Sequence, residues 1–262
     1  MKTPKSNKEI VEIRDLEIGF GGNPVLQGVD LDVYEKENLV VLGKSGTGKS
    51  VLIKCMVKLL KPQSGKIKIF DQEITDLKEK ELNDVRKRIG FLFQSAALYD
   101  SMTVRENLEF PLRRIFPEMK NDEIGKKVIQ ALENVGLPEA IDKMPSELSG
   151  GMRKRIGLAR TIIVDPEIIL YDEPTTGLDP VTSVEISELI RDLQKKLNTA
   201  AIIITHDIPC VRITADRIVM LKEGKVYKEG SLDEFEDSDD DYIRSFFADS
   251  KRKTDKKTKS HD

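Results

Sequence analysis

Tryptophan is absent from this sequence, and other residue types that carry specialised chemistry are scarce. The 262 residues include two cysteines, two histidines and only 5% aromatic residues. Cys55 and Cys210 lie far apart among apolar neighbours, as buried free thiols do in a reducing compartment. This usage excludes a disulfide scaffold and a zinc-binding pattern of paired cysteines.

Long apolar runs are missing too. No stretch approaches the roughly 20 apolar residues that a helix needs to cross a bilayer. The start of the sequence, MKTPKSNKEI, lacks the apolar centre of a secretion signal. If the protein serves a membrane process, we therefore expect another chain to cross the membrane.

The sequence also lacks a surplus of positive charge. Lys and Arg number 43 against 46 Asp and Glu, which gives a net charge of −3. Proteins that act on nucleic acid usually carry a basic surplus, so this balance argues against DNA or RNA as the main partner. The 39% hydrophobic content is sufficient for a folded core, and the length fits one large domain.

Strand and helix patterns alternate along the chain. Residues 11–18, 25–34 and 66–70 alternate polar and apolar positions, which predicts a small antiparallel sheet. The run 39–42 is apolar throughout, as in a strand covered on both faces. Similar runs lie at 89–93, 168–171, 201–204 and 217–221. Because helical stretches separate several of them, we predict an α/β fold built on a parallel sheet.

Residues 95–165 interrupt this strand pattern. Thr103 and Glu106 fit a capping box that starts a helix. Over 123–135, apolar residues recur at helical spacing before Gly136. They are Ile124, Val128, Ile129, Leu132 and Val135. We predict a helical subdomain inserted into the α/β core.

Residues 43–50, GKSGTGKS, match the phosphate-loop pattern G-x-x-x-x-G-K-[ST]. They follow the apolar strand 39–42 and precede the helical run 51–60, which is the context that the pattern requires. Glycines let the backbone fold around phosphate oxygens, and N–H groups at a helix N-terminus supply positive potential. We expect Lys49 to reach the β- and γ-phosphates and Ser50 to ligate Mg²⁺. A purely structural glycine turn is the disfavoured alternative.

Two further segments suit phosphate chemistry. The apolar strand 168–171 ends in Asp172 and Glu173, at the sheet edge where the phosphate loop also lies. Asp172 suits holding Mg²⁺, and Glu173 suits orienting or deprotonating the attacking water. The alternative, two solvated acids at a strand end, is weakened by the nearby phosphate loop. Leu148–Met152 opens the helical run 153–164 with a hydroxyl and two glycine amides, a second anion site.

In this order, the motifs resemble those of ATP-binding-cassette (ABC) nucleotide-binding subunits over roughly residues 10–248. The matching features are the phosphate loop, Gln94 after the strand 89–93, the Leu148–Met152 signature, Asp172–Glu173, the Gly177–Asp179 turn and His206 after the strand 201–205. The resemblance implies a phosphate-loop NTPase core, with an ABC ATPase domain over residues 1–250 that includes the helical subdomain at 95–165. It also implies that ATP and Mg²⁺ are the bound cofactors.

The resemblance implies roles for particular residues. Two copies of the chain would face each other head to tail, with ATP between the phosphate loop of one and Ser149–Gly151 of the other. Gln94 would sense Mg²⁺ and water, and His206 would hold the γ-phosphate and the catalytic water. Asp179 would lie at the dimer seam. Phe20 falls where the family has an aromatic that stacks on adenine; the alternative is a core aromatic that ends the first strand.

The resulting assignments fall into three sets. The residues assigned to nucleotide are Phe20, Gly43, Lys44, Ser45, Gly46, Thr47, Gly48, Lys49, Ser50, Val51, Ser149, Gly150, Gly151 and Asp179. The residues assigned to the metal are Ser50, Gln94 and Asp172. The residues assigned to catalysis are Gln94, Glu173 and His206.

The signature ends in Met152, where the family usually has glutamine, so any polar contact from that side chain is lost. A methionine followed by Arg153–Arg155 is similar to the Mla-type and Mce-type lipid-trafficking ATPases, as are residues 95–104 and 177–183. This resemblance implies a membrane permease partner that moves phospholipid between envelope membranes, and a membrane-anchored MCE-type lipid-binding protein beside it. It also implies a peripheral location on the cytoplasmic face of the inner membrane.

Other functions stay open, because the residues that match do not touch lipid. The ATPase could serve a transporter of another solute, or a division-type cassette that signals across the membrane without transport. A translation or DNA-repair cassette is disfavoured, since the chain has one phosphate loop, one signature and no zinc-binding cysteines. Leu98, Tyr99 and Met102 either receive a short helix of the permease or pack inside the helical subdomain.

The end of the chain, 251–262, is basic, with six cations between 251 and 259. We expect a solvated, disordered tail that keeps the chain soluble. The alternative is a tail that touches the anionic cytoplasmic leaflet, where each basic residue contributes about 1 kcal/mol.

Overall fold

The computed structural model describes residues 8–247, so the predicted basic tail at 251–262 lies outside the described residues. The strands are β1 (Glu9–Phe20), β2 (Asn23–Tyr34), β3 (Asn38–Leu42), β4 (Ser64–Ile69), β5 (Gln72–Glu73), β6 (Ile89–Leu92), β7 (Ile168–Asp172), β8 (Ala200–Thr205), β9 (Arg217–Lys222) and β10 (Lys225–Gly230). The helices are α1 (Lys49–Met56), α2 (Glu79–Arg86), α3 (Val104–Ile115), α4 (Asn121–Asn134), α5 (Gly150–Ile162), α6 (Pro180–Leu197), α7 (Ile208–Thr214) and α8 (Leu232–Glu236). Residues 241–247 are also helical.

The smaller sheet is antiparallel, in the order β2-β1-β4-β5. Val29, Leu31 and Val33 of β2 are all buried, as their alternation with polar residues predicts. Leu31 lies opposite Ile13 of β1, which in turn lies opposite Ile67 of β4. The predicted small antiparallel sheet is therefore confirmed.

The larger sheet has the order β10-β9-β3-β8-β7-β6. Neighbours from β9 to β6 pair in parallel, and every residue of β3, β7 and β8 is buried. This confirms the parallel α/β core. The edge strand β10 pairs antiparallel with β9 and was not predicted, because its alternating side chains are all at least partly exposed. Glu223 and Gly224, both with positive φ, form the turn between these two strands.

Helices α3, α4 and α5 lie between β6 and β7 in the chain and pack against one another. The capping box of α3 is present: the Glu106 N–H donates to Thr103 Oγ1 at 3.2 Å, and the Thr103 N–H donates to Glu106 Oε2 at 2.7 Å. One residue of the apolar set predicted for α4, Ile129, does not face the core. Ile129 is 49% exposed, because it lies outside the arc of α4 that holds Ile124, Val128 and Leu132.

The predicted helical run 51–60 is too long. Helix α1 ends at Met56, and Lys58 takes a left-handed backbone conformation at φ 52°. Leu59 is exposed beyond it. Apolar residues therefore continue in the sequence beyond the end of the helix. Periodicity alone does not show where the helix ends.

Parallel strands bring their carboxyl ends to one edge of the sheet. The segment 43–50 follows β3, Glu173 follows β7, and His206 follows β8. Because β3, β8 and β7 are adjacent, these three segments meet. Among residues 8–247, no helix has both the length and the apolar character of a bilayer span.

Candidate functional site

The loop 43–50 takes a conformation that requires glycine. Gly46 and Gly48 have φ of 84° and 98°, in the left-handed region that side chains disfavour. A Cβ on Gly48 would lie 2.6 Å from Leu26 Cδ2, so the β2 side chain also excludes a larger residue. Gly48 caps α1 without a side-chain hydrogen bond, which leaves the first N–H groups of that helix directed at the loop. The loop therefore has the open amides that phosphate oxygens require.

Lys49 is only 5% exposed although it is a lysine. Its Nζ donates to the carbonyls of Gly43 at 2.8 Å and Lys44 at 3.1 Å, and lies 3.6 Å from Glu173 Oε1. Burial lowers the pKa of Lys49, while Glu173 and Asp172 oppose that shift. The ammonium group is thus held across the loop by carbonyls, with a carboxylate beside it.

Ser50 and Asp172 are the pair suited to a metal ion. Ser50 Oγ donates to Asp172 Oδ1 at 2.7 Å, and Asp172 is buried at the end of β7. A hydroxyl and a carboxylate are oxygen ligands of the kind that Mg²⁺ takes, usually together with water and substrate phosphates. Within residues 8–247, no cluster of three or more acidic, histidine or cysteine side chains forms a separate metal cage. The residues therefore fit Mg²⁺ held jointly with a nucleotide.

Glu173 lies between Lys49 and His206. Its Oε2 is 2.8 Å from His206 Nδ1, and its other carboxylate oxygen faces Lys49. The backbone at Glu173 is left-handed, with φ 49°, and its N–H donates to Ile204 of β8 at 2.9 Å. Such a conformation costs energy, so the sheet imposes it and fixes the carboxylate at the strand end. His206 is half-exposed and thus accessible from the open side of the site.

Gln94 and Phe20 are both exposed. The Gln94 backbone carbonyl accepts a hydrogen bond from the Lys154 ammonium of α5. Phe20 is 49% exposed at the end of β1, so it is not the core aromatic that was the alternative interpretation. Its role in stacking on adenine stays a prediction.

The signature segment lies apart from the phosphate loop in this chain. Ser149 caps α5, and its Oγ accepts the Met152 N–H at 3.2 Å. Residues Ser149–Met152 line a cavity of about 430 Å³ together with Gly177–Asp179 and α6 side chains. No residue of 43–50 lines that cavity. Within one chain, the two anion sites are therefore separate.

Asp179 has a local structural role in the free chain. It caps α6, accepting the Val181 and Thr182 N–H groups at 3.1 Å each and the Thr182 hydroxyl at 2.6 Å. These bonds, led by the Thr182 hydroxyl, lower the pKa of Asp179. The cap holds the Gly177–Asp179 turn beside Ser149, but Asp179 does not line the phosphate loop.

Sequence reasoning missed the part played by Lys154, which it treated only as a subgroup marker. The signal was available in the helical period, because Lys154 shares a face of α5 with the buried Gly157 and Thr161. A lysine on an apolar helix face is unusual and often has a specific partner.

The arrangement matches a known family. The family profile described as "ABC transporter" covers residues 26–176, more than half of the chain. This chain belongs to the ABC transporter family. It carries an ABC ATPase domain, a kind of domain that binds ATP with Mg²⁺.

Curated relatives of this cassette agree with that assignment. It is 40% identical over 236 residues to the "Probable ribonucleotide transport ATP-binding protein mkl" of Mycobacterium leprae, covering 90% of this chain and 68% of the relative. It is 39% identical over 231 residues to the "Methionine import ATP-binding protein MetN" of Brucella abortus, covering 88% of this chain and 62% of that relative. The chain thus spans about two thirds of the length of these relatives.

Solved cassettes share the fold. The dimeric ATP-binding cassette MJ0796, in a post-hydrolysis state bound to ADP and Pi, has a TM-score of 0.77 and 32% identity, covering 85% of this chain and 98% of that one. The cbiO1 protein from Clostridium perfringens, part of the ABC transporter complex cbiONQ, has a TM-score of 0.79 and 31% identity, covering 93% and 92%. The fold prediction, an α/β phosphate-loop core with a parallel and an antiparallel sheet, is confirmed.

Proposed function

We propose that this cassette hydrolyses ATP as one of two identical subunits and so energises a membrane permease. The observation that carries the proposal is the convergence of Lys49, Ser50, Asp172, Glu173 and His206 at one sheet edge. The half-exposed His206 and the open amides of the loop leave room for a nucleotide there. Two subunits would act, because the signature segment lies elsewhere on the chain.

Each residue in this cluster would have a distinct task. The loop amides and the Lys49 ammonium would bind the β- and γ-phosphates. Ser50 and Asp172, with Gln94, would hold Mg²⁺, which when bound neutralises negative charge on the β- and γ-phosphate oxygens. Glu173 would take the proton from the attacking water as general base. His206, hydrogen-bonded to that carboxylate, would hold the water and the γ-phosphate in line.

The second anion site would act on the nucleotide of the partner subunit. Ser149, Gly150 and Gly151 present a hydroxyl and amides at the start of α5 and lie open in the cavity beside Asp179. In a head-to-tail pair, each of the two nucleotides would contact 43–50 of one subunit and 149–151 of the other. The solved cassette bound to ADP and Pi is itself dimeric, which supports this arrangement.

Phospholipid is the substrate class that we propose for the permease. The supporting features are Met152 in place of the usual glutamine, the basic run Arg153–Arg155, and the segments 95–104 and 177–183. The cassette would then sit at the cytoplasmic face of the inner membrane, beside a permease and a membrane-anchored MCE-type lipid-binding protein.

Methionine import is a second candidate. The relative at 39% identity in Brucella abortus is named a methionine import ATP-binding protein, and the relative at 40% in Mycobacterium leprae carries a ribonucleotide transport name. Since the permease selects the transported molecule, the cassette sequence alone favours these candidates only by resemblance.

A native purification distinguishes these substrates. The tagged chain is isolated from its own membranes, and both the proteins and the lipids that accompany it are identified by mass spectrometry. Phospholipid with a multi-span permease and a membrane-anchored lipid-binding protein is the expected result. A permease that instead accompanies a methionine-binding protein, with no enrichment of phospholipid over an untagged preparation, would support the second candidate.

The permease contact can be tested in the same preparation. Leu98 packs against the core, whereas Tyr99 is 44% exposed and contacts the tilted ring of Phe110, with 5.1 Å between the ring centroids. Tyr99→Asp should release the permease, because it puts a charge on an apolar contact. Ile129→Asp, at a similarly exposed residue of α4, is the matched control and should keep the permease bound.

A further inference from the structure

Lys154 is a buried lysine outside the ATP-binding cluster. It lies on α5, five residues after the cap Ser149, and is 5% exposed. A lysine is almost never this buried unless it is paired. Its ammonium group donates to the backbone carbonyl of Gln94. The helix that begins at the signature segment is therefore bonded to the loop that carries Gln94.

The same face of α5 contacts the Gln94 loop at two more places. Arg160 Nη2 donates to the Ala96 carbonyl at 2.8 Å. Between the two cations lies Gly157, where an added Cβ would meet Ala96 Cβ at 2.9 Å. Residues 154, 157 and 160 follow one another at three-residue spacing, so each lies beside the preceding one on the helix surface. The loop at 94–97 is thus attached to α5 along two turns.

The backbone of the loop 94–97 takes a conformation that needs support from neighbouring groups. Ala96 and Ala97 have φ of 61° and 47°, two consecutive left-handed residues that are not glycine. This conformation is disfavoured for alanine and persists where neighbouring groups impose it. The bonds from Lys154 and Arg160 end on carbonyls within this segment. Both bonds help to hold the shape of the loop.

Lys154 also interacts electrostatically with the acid pair Asp172 and Glu173. Asp172 and Glu173 act on its ammonium group electrostatically and partly offset the lowering of its pKa by burial. Both carboxylates are buried at the end of β7. A cation that interacts with two neighbouring acids reduces their mutual repulsion.

We propose that Lys154 is a positioning residue that fixes the Gln94 loop and couples it to the signature end of α5. It touches neither nucleotide nor metal in this assignment, and it acts through Gln94. The proposal rests on the proposed function, since the signature end of α5 is assigned to the nucleotide of the partner subunit. A shift of α5 when Ser149 meets that nucleotide would then move Gln94 in the same subunit.

The test is a double-mutant cycle on the full chain, measuring kcat and the Kd for ATP. Lys154→Met keeps the side-chain length but removes the charge and the donor. We expect kcat to fall about tenfold or more, the size seen when a supporting contact of a site is lost. The Kd for ATP should stay unchanged because 43–50 is untouched. Lys154→Arg, which keeps a cation and donors, should restore part of the activity. Lys126→Met, at an exposed lysine of α4, is the matched control.

The cycle partner is Gln94→Ala. If Lys154 acts through Gln94, adding Lys154→Met to Gln94→Ala should lower kcat little further. An equal fold-loss in both backgrounds, or wild-type kcat in Lys154→Met, would overturn the proposal. Should Lys154→Met fail to fold, Lys154→Gln takes its place in the cycle. A wild-type chain without ATPase activity would instead contradict the proposed function.

Discussion

Each of the two anion sites of this chain lies at the N-terminus of a helix, but the side chains around the two helix ends differ. Around the loop 43–50, Lys49 lies within ion-pair distance of the buried Glu173, and the Ser50 hydroxyl donates to the buried Asp172. Around Ser149–Gly151, the charged groups are engaged elsewhere: Arg155 pairs with Glu185 at 3.0 Å, and Asp179 caps α6. The first site has the groups for chemistry, whereas the second has groups for binding alone. Under the proposed head-to-tail pairing, a single chain would therefore hold half of each ATP site.

The helix caps show the same difference. Helix α1 is capped by Gly48, which offers no side-chain acceptor, so the first amides of the helix are free for phosphate. Helix α5 is capped by Ser149, whose hydroxyl already accepts a hydrogen bond from the Met152 amide. The signature segment is stable as a helix end in the free subunit, while the phosphate loop leaves its amides for a ligand. This difference in capping predicts different effects of mutation. Mutations at the phosphate-loop site should change nucleotide binding or turnover, whereas loss of the Ser149 hydroxyl should also lower the stability of the free subunit.

Glu173→Gln should give the largest effect. Glutamine has nearly the shape of glutamate but cannot accept the proton, so turnover should fall by about 10²–10⁴. ATP binding through the loop should survive, and the ATP-bound pair should accumulate. Size-exclusion chromatography with ATP and Mg²⁺ detects it. A monomer peak together with normal turnover would contradict the assignment of Glu173.

Lys49→Ala should weaken nucleotide binding itself. A hydrogen bond to a charged group contributes about 1.5–3 kcal/mol, so the affinity for ATP should fall roughly ten- to hundredfold, with turnover following. Isothermal titration with ATP and Mg²⁺ measures this. Lys61→Ala, at an exposed lysine beyond α1, is the control and should bind normally. Wild-type hydrolysis by Lys49→Ala would mean that 43–50 is not the phosphate site.

Mixing broken subunits tests whether the two sites meet in trans. Lys49→Ala and Ser149→Arg should each inactivate both ATP sites of their own homodimer. A mixed pair has one doubly broken site and one intact site, formed by the loop of one subunit and the signature of the other. ATPase activity should partly return on mixing, unlike in either variant alone. Proven mixed pairing without any recovery would count against independent composite sites.

Much of the phosphate-loop site could be predicted from sequence, because it depends on local sequence pattern. The strand, loop and helix around 43–50, the acids after β7 and the capping box at Thr103 all follow from residue type and spacing. The site residues that converge come from the carboxyl ends of adjacent parallel strands, which topology places together. Their roles with nucleotide stay predictions.

Tertiary contacts explain what sequence did not reveal. The edge strand β10 was missed because its side chains are partly solvated, and α1 stopped early because Lys58 turned left-handed. The helical period places Lys154 on a buried face of α5, but only the fold shows that its partner is the Gln94 loop. Burial of a charged side chain depends on which neighbours arrive from distant parts of the chain.

The smallest expected effect separates the two roles of Ser149. Ser149→Ala removes the acceptor of the Met152 N–H and should lower the free energy of unfolding by about 1 kcal/mol, measured in urea without nucleotide. Ser149→Asp is the matched variant, because aspartate caps a helix as well as serine does. Its stability should match the wild type, yet its carboxylate repels phosphate, so the ATP-bound pair should not form. If Ser149→Asp assembled around ATP like the wild type, Ser149 would serve the helix alone and the second anion site would lie elsewhere.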